Sequence, residues 1–75
     1  MNLSEAPFHR DLRIGDIRAL SEDAALVLRQ LGLRRGEVVE KLHTAPLGDP
    51  LTLRVGGQRF ALRLEVCAKI EVTPA

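Results

Sequence analysis

The spacing of apolar residues predicts one helix in the first half of the chain. Four of them share a helical face at the i, i+3, i+4, i+7 spacing: Ala24, Val27, Leu28 and Leu31. Ser21 precedes this stretch as a helix N-cap, and Gly32 follows it where a left-handed residue commonly ends a helix. We therefore expect a helix over residues 21–31, with that face turned to the core.

Alternation of apolar and polar residues predicts short strands around this helix. Residues 12–16 are expected to form a turn, and residues 65–68 a short helical turn. The expected strands are residues 17–20, 37–44, 51–55, 58–62 and 69–72. Such a pattern favours a mainly β fold, a small β-barrel with one inserted α-helix and one or two helical turns.

One hairpin has a predicted register. Gly56 and Gly57 separate two alternating runs, and both tolerate the positive φ that a type I′ turn requires. A two-residue turn here sets Leu53 opposite Phe60, so the apolar sets of the two strands match.

The same register places arginines on the outer face of the hairpin. Arg54 lies opposite Arg59, with Arg63 further along, although like charges directly opposed are unfavourable. Two interpretations remain open. Either the side chains extend into water or meet acidic groups from elsewhere, or they form a small basic patch for an acidic partner.

Leu26 lies outside the apolar face of the predicted helix. At 3.6 residues per turn it projects away from the core, among Glu22 and Arg29. A single exposed leucine is common and needs no explanation. The functional alternative is a contact point for a partner protein, with Glu22 and Arg29 beside it.

Length and composition describe one small globular domain. The chain has 75 residues, 45% of them hydrophobic and 28% charged. We expect residues 1–11 to be a loosely held N-terminal leader and residues 12–75 to form the folded domain. The chain start has no secretory pattern, and a single cysteine, Cys67, cannot form an internal disulfide, so the sequence favours the cytoplasm. Cys67 is expected to be buried as a compact apolar residue.

Charge and aromatic content argue against nucleic-acid binding. The formal net charge is +1, and Phe8 and Phe60 are the only aromatic residues apart from histidine. A single-strand or RNA-binding barrel would need a basic surface or a stacking platform. No apolar run is long enough to insert into a membrane.

Catalytic and metal-binding motifs are absent from the sequence. It contains no phosphate-binding loop, no zinc-binding cysteine pair and no spacing typical of a nucleophile with its base. We therefore predict a non-enzyme without a cofactor. His9 and His43 are weak candidates for adventitious zinc, and no native metal site is expected.

Several segments in succession resemble a known family. They are residues 28–36 (LRQLGLRRG), 45–50 (APLGDP), Gly57, 60–63 (FALR) and 70–72 (IEV). In this order and spacing they are similar to the FeoA family of small ferrous-iron transport proteins, over nearly the whole chain from Leu12.

The resemblance implies an SH3-like β-barrel in the cytoplasm, recruited to the inner face of the membrane. It also implies a role in assisting the membrane ferrous-iron permease that carries its own cytosolic GTPase domain. The candidate contact residues for this partner are Leu26, Glu22, Arg29, Arg54, Arg59 and Arg63. An alternative is a free-standing regulatory interaction module of the type found at the C-terminus of iron-dependent repressors. Exposed strand edges also allow a weak homodimer.

Overall fold

The computed structural model describes residues 1–75 and contains five strands and two helices. In chain order they are β1 (Leu12–Ile14), α1 (Glu22–Gln30), β2 (Val38–Thr44), β3 (Leu51–Val55), β4 (Gln58–Leu62), α2 (Leu64–Cys67) and β5 (Val72–Pro74). The mainly β class, with one inserted helix and one short helical turn, is confirmed. Neither helix is both long enough and apolar enough to cross a lipid bilayer.

All five strands belong to one antiparallel sheet with the order β4-β3-β2-β1-β5. No pairing joins β4 to β5, so the sheet is open and does not close into the expected barrel. The inward side chains of the strands form the core together with residues from the helices, the loops and the N-terminal segment: Leu3, Ala6, Leu28, Leu33, Cys67 and Ile70. Both ends of the sheet therefore keep an edge strand.

The segment before the helix is corrected by the structure. The strand is Leu12–Ile14, where a turn was expected, and residues 17–20 form a turn, where a strand was expected. Leu12 and Ile14 both point into the core. The sequence did not predict this strand, because alternation over only three residues is a weak signal. Asp16 Oδ1 accepts the backbone N–H of Arg18 at 2.7 Å, and this local bond turns the chain.

The helix has the predicted ends but a different buried face. Ser21 Oγ accepts the N–H of Ala24 at 3.2 Å, and Gly32 has a φ of +88°. Ala25 and Leu28 are the buried residues of α1. Val27 was expected to be buried and is 54% exposed, because the helix packs with its core face rotated towards Ala25.

The hairpin register is confirmed, with Leu53 opposite Phe60 and Arg54 opposite Arg59. The turn type is not the expected one. Only Gly56 has positive φ, at +61°, which is the pattern of a type II′ turn, since type I′ requires positive φ at both central residues.

The last strand begins later than expected. Residues 69–71 lead out of α2 as a turn and a single bridge residue, and β5 is Val72–Pro74, where residues 69–72 were expected. The Ile70 N–H is bonded to the carbonyl of Cys67 at 3.1 Å, so it completes the helical turn and is not free for a sheet.

The expectation of a loosely held N-terminus is wrong. Leu3 and Ala6 are buried members of the core region, and the Leu3 N–H donates to the Ile70 carbonyl at 2.8 Å. Asn2 also forms an isolated antiparallel bridge with Glu71. Residues 1–11 therefore pack on the same core as the strands.

Candidate partner-binding site

The outer face of α1 carries two neighbouring exposed apolar side chains. Leu26 is 53% exposed, as the sequence predicted, and Val27 is 54% exposed. Glu22 and Arg29 are exposed on the Leu26 side of the helix, and neither forms an ion pair. We call these four residues the α1 outer face. It combines an apolar centre with one negative and one positive charge at its border.

The arginines of the hairpin do not act as one group. The Arg54 guanidinium forms an ion pair and hydrogen bond with the Glu40 carboxylate on the adjacent strand β2. This contact offsets the repulsion expected from Arg59 directly opposite. Arg59 and Arg63 are exposed and form no ion pair. Of the three, these two remain available to an anionic partner.

A surface groove joins the end of α1 to the tip of the β3–β4 hairpin. Its volume is about 400 Å³. The lining residues are mostly polar or glycine: Gln30, Leu31, Gly32, Arg34, Glu37, Val55, Gly56, Gly57 and Gln58. A Cβ atom at Gly32 would lie 3.9 Å from Val55 Cγ1, so helix end and hairpin are close. The C-terminal end of α1 thus lies beside the tip of the hairpin.

Lys41 is a buried charge that the sequence reasoning missed. It is 2% exposed, and its Nζ donates to the carbonyls of Ala6 at 2.6 Å and Ser4 at 3.1 Å. The ammonium also lies 4.5 Å from the centre of the Phe8 ring. Loss of water around the ammonium lowers the pKa of Lys41. Its place two residues after Val39, on the inward side of a strand, was the signal available in the sequence.

Cys67 is fully buried, as expected. Burial raises the pKa of the Cys67 thiol from 9.0 to about 11, because the thiolate would lose its water. A nucleophilic or metal-binding cysteine needs the thiolate form near neutral pH. Cys67 therefore fills space in the core.

The two histidines, the weak candidates for adventitious zinc, both lie on the surface. His9 has a φ of +60° in the N-terminal segment, and His43 is exposed near the end of β2. Nowhere in the chain do three or more His, Cys, Asp or Glu side chains come together in a way that could hold a metal ion. A single histidine offers at most a weak surface ligand.

A family model and several solved structures match nearly the whole of this chain. The FeoA domain model matches residues 1–74. The solution structure of the FeoA protein of Chlorobium tepidum is 30% identical, with a TM-score of 0.91, over 99% of this chain and 70% of that chain. A search of curated proteins returned no match.

Two further solved structures bear on the fold. The zinc complex of Stenotrophomonas maltophilia FeoA is 36% identical, with a TM-score of 0.79, over 97% of this chain and 89% of that chain. It is described as a prokaryotic SH3 domain protein proposed to activate ferrous iron transport. The manganese regulator SloR has a TM-score of 0.83 at 12% identity, over 100% of this chain and 34% of that chain, which shows a shared fold only. The expected SH3-like fold is confirmed.

Proposed function

This chain belongs to the FeoA family, and from that membership we propose that it is a cytosolic accessory protein of ferrous iron uptake. Two findings support the proposal: the family match over residues 1–74, and the transport-activating role suggested for the S. maltophilia relative. The role proposed is binding, since the sequence carries no motif typical of catalysis.

The partner proposed is the membrane ferrous-iron permease, contacted through its cytosolic GTPase domain. The observation that carries this step is the exposure of Leu26 and Val27 side by side on α1. Full burial of such a side chain contributes roughly 1.5–3 kcal/mol, and because each is already about half buried, covering it in an interface contributes about half of that. Together the two can form the apolar centre of a transient contact. Glu22 and Arg29 at the border supply charges of both signs, which orient a partner more than they bind it.

Substitution on the α1 outer face tests this proposal. The Leu26→Glu variant should bind the isolated GTPase domain at least about tenfold more weakly in a pull-down or calorimetric titration. Its thermal unfolding should stay close to that of the parent, because the side chain is half exposed. Leu47→Glu is the matched control, since Leu47 is 97% exposed on the loop between β2 and β3.

Three results would contradict the proposal. One is unchanged binding of Leu26→Glu, and another is equal weakening by Leu47→Glu. The third is normal ferrous iron uptake by cells from which the protein has been deleted. A large loss of stability in Leu26→Glu would show instead that Leu26 is part of the core.

The alternative function is that of a free-standing regulatory module. The likeness to SloR supports it only through a shared fold. It predicts that the protein is retained by a metal-responsive repressor and not by the permease domain. The same pull-down with both baits separates the two functions.

No resident cofactor belongs to the proposed role. Zinc captured by His9 or His43 would be adventitious, and a homodimer would be weak. Sedimentation with and without zinc distinguishes metal-bridged pairs from pairs that form through the protein alone.

A further inference from the structure

One edge of the sheet is left open. β4 pairs only with β3, and no backbone hydrogen bond outside that ladder involves residues 58–62. The opposite edge is protected, because the Val72 N–H donates to the Met1 carbonyl at 2.9 Å and Pro74 has no N–H to offer. An exposed edge strand is a template for pairing with another chain.

The hairpin geometry identifies which backbone groups face outward. In a two-residue hairpin the pair flanking the turn, Val55 and Gln58, exchanges hydrogen bonds, and such pairs then alternate along the ladder. Phe60 and Leu62 are therefore bonded to β3. The N–H and C=O groups of Arg59 and Ala61 point away from the sheet, where a further strand can pair with them.

The side chains along this edge indicate which charge a ligand would need. Arg59, Ala61 and Arg63 follow one another on the outer face, since the backbone of Arg63 is still extended at φ −65° and ψ 145°. The two arginines form no ion pair, and Ala61 between them leaves space for an incoming side chain. Beside Ala61 and Arg63 lies a groove of about 430 Å³ that Asp49 and Pro50 complete.

Asp49 is the one acidic group that lines this groove. Its Oδ1 accepts the Leu64 N–H at 3.0 Å, so the carboxylate is held at the start of α2. The carboxylate keeps its negative charge, so a ligand along β4 meets two guanidinium groups and, in the groove, this one carboxylate. The balance is positive.

We propose that the β4 edge binds an extended acidic segment of a partner protein as a sixth strand. Two carboxylates four residues apart, about 13 Å along an extended chain, would face Arg59 and Arg63. A second copy of this chain fits poorly. Antiparallel pairing of two β4 strands about Ala61 would set Arg59 of one copy opposite Arg63 of the other. This mode of strand addition uses a different surface from the α1 outer face and does not depend on the proposed function.

The test uses the full chain and a defined probe. The probe is a capped eight-residue peptide of alternating threonine and valine, with glutamate at its third and seventh positions. At low salt it should shift the amide signals of Arg59 and Ala61 and slow their hydrogen exchange at least about tenfold. The matched peptide with glutamine at both positions should bind roughly three- to tenfold more weakly, and added salt should remove that difference.

Protein variants separate charge from strand pairing. Ala61→Pro removes the outward N–H without breaking the β3–β4 ladder, and should abolish the peptide's protection of the remaining outward amide, that of Arg59. The double variant Arg59→Gln with Arg63→Gln should bind the glutamate peptide no better than the glutamine one. Arg35→Gln, in the exposed turn before β2, is the control and should not change binding.

Several outcomes would overturn the proposal. They are equal binding of the two peptides, full binding by a folded Ala61→Pro variant, and shifts confined to α1. Should Ala61→Pro fail to fold, the test is the exchange of the Arg59 and Ala61 amides in the parent protein. Peptide that leaves both exchange rates unchanged would overturn the proposal. Protection of these two amides that grows with protein concentration in the absence of peptide would mean that a second copy occupies the edge.

Discussion

Replacing Lys41 by methionine should destabilise the protein by about 1–3 kcal/mol. Methionine keeps the length of the apolar stem, so packing around the stem changes little. What is lost is the ammonium group that donates to the carbonyls of Ser4 and Ala6. No backbone N–H bonds to either carbonyl, so the substitution leaves both without a partner in the protein.

The magnitude is a difference between opposing contributions. Two unsatisfied carbonyls cost about 1–3 kcal/mol each, and the contact of the ammonium with the Phe8 ring contributes about 1 kcal/mol more. Against this, methionine has no charge to remove from water on folding, and the absence of this desolvation penalty stabilises the variant by several kcal/mol. We expect the losses to exceed the relief, because no backbone N–H donates to the Ser4 or Ala6 carbonyl.

Urea unfolding measures the change in the free energy of unfolding, which appears as a lower midpoint concentration at an unchanged m-value. Hydrogen exchange should show where the stability is lost. The Leu3 amide should exchange faster, because Leu3 belongs to the N-terminal segment that Lys41 holds in place. Lys69→Met is the control, since Lys69 is exposed and its loss should stay within about 0.5 kcal/mol. Equal or higher stability of Lys41→Met would refute the reasoning and show that desolvation of the ammonium dominates.

Three further predictions concern other parts of the fold. Because the pKa of Cys67 is raised to about 11, stability present below pH 9 should be lost as pH rises through about 11, by up to roughly 2–3 kcal/mol. Cys67→Ala should flatten this alkaline slope, and equal slopes would contradict the assignment. Gly32→Ala should cost about 1 kcal/mol in thermal unfolding because of the φ of +88°, whereas Gly57→Ala should cost less. A double-mutant cycle on Glu40 and Arg54 should give a coupling of about 0.3–1 kcal/mol that falls with added salt, and a salt-independent value would argue against an ion pair.

The features that the sequence predicted well are local ones. The N-cap at Ser21, the helix end at Gly32 and the register of the β3–β4 hairpin each depend on residues within one turn of the chain. Turn chemistry and side-chain period are encoded over such short stretches, so a single sequence is enough to recognise them. The exposure of Leu26 followed from the same helical period.

What the tertiary structure decided is which surfaces meet. Val27 is exposed, Leu3 is buried and Lys41 lies inside because of segments packed from far along the chain. The open edge at β4 likewise follows from the strand order, in which β5 pairs with β1 and leaves β4 unpaired. A periodic pattern states that a helix or strand has an apolar face, whereas the rotation of that face and the partner it covers depend on close packing between distant segments.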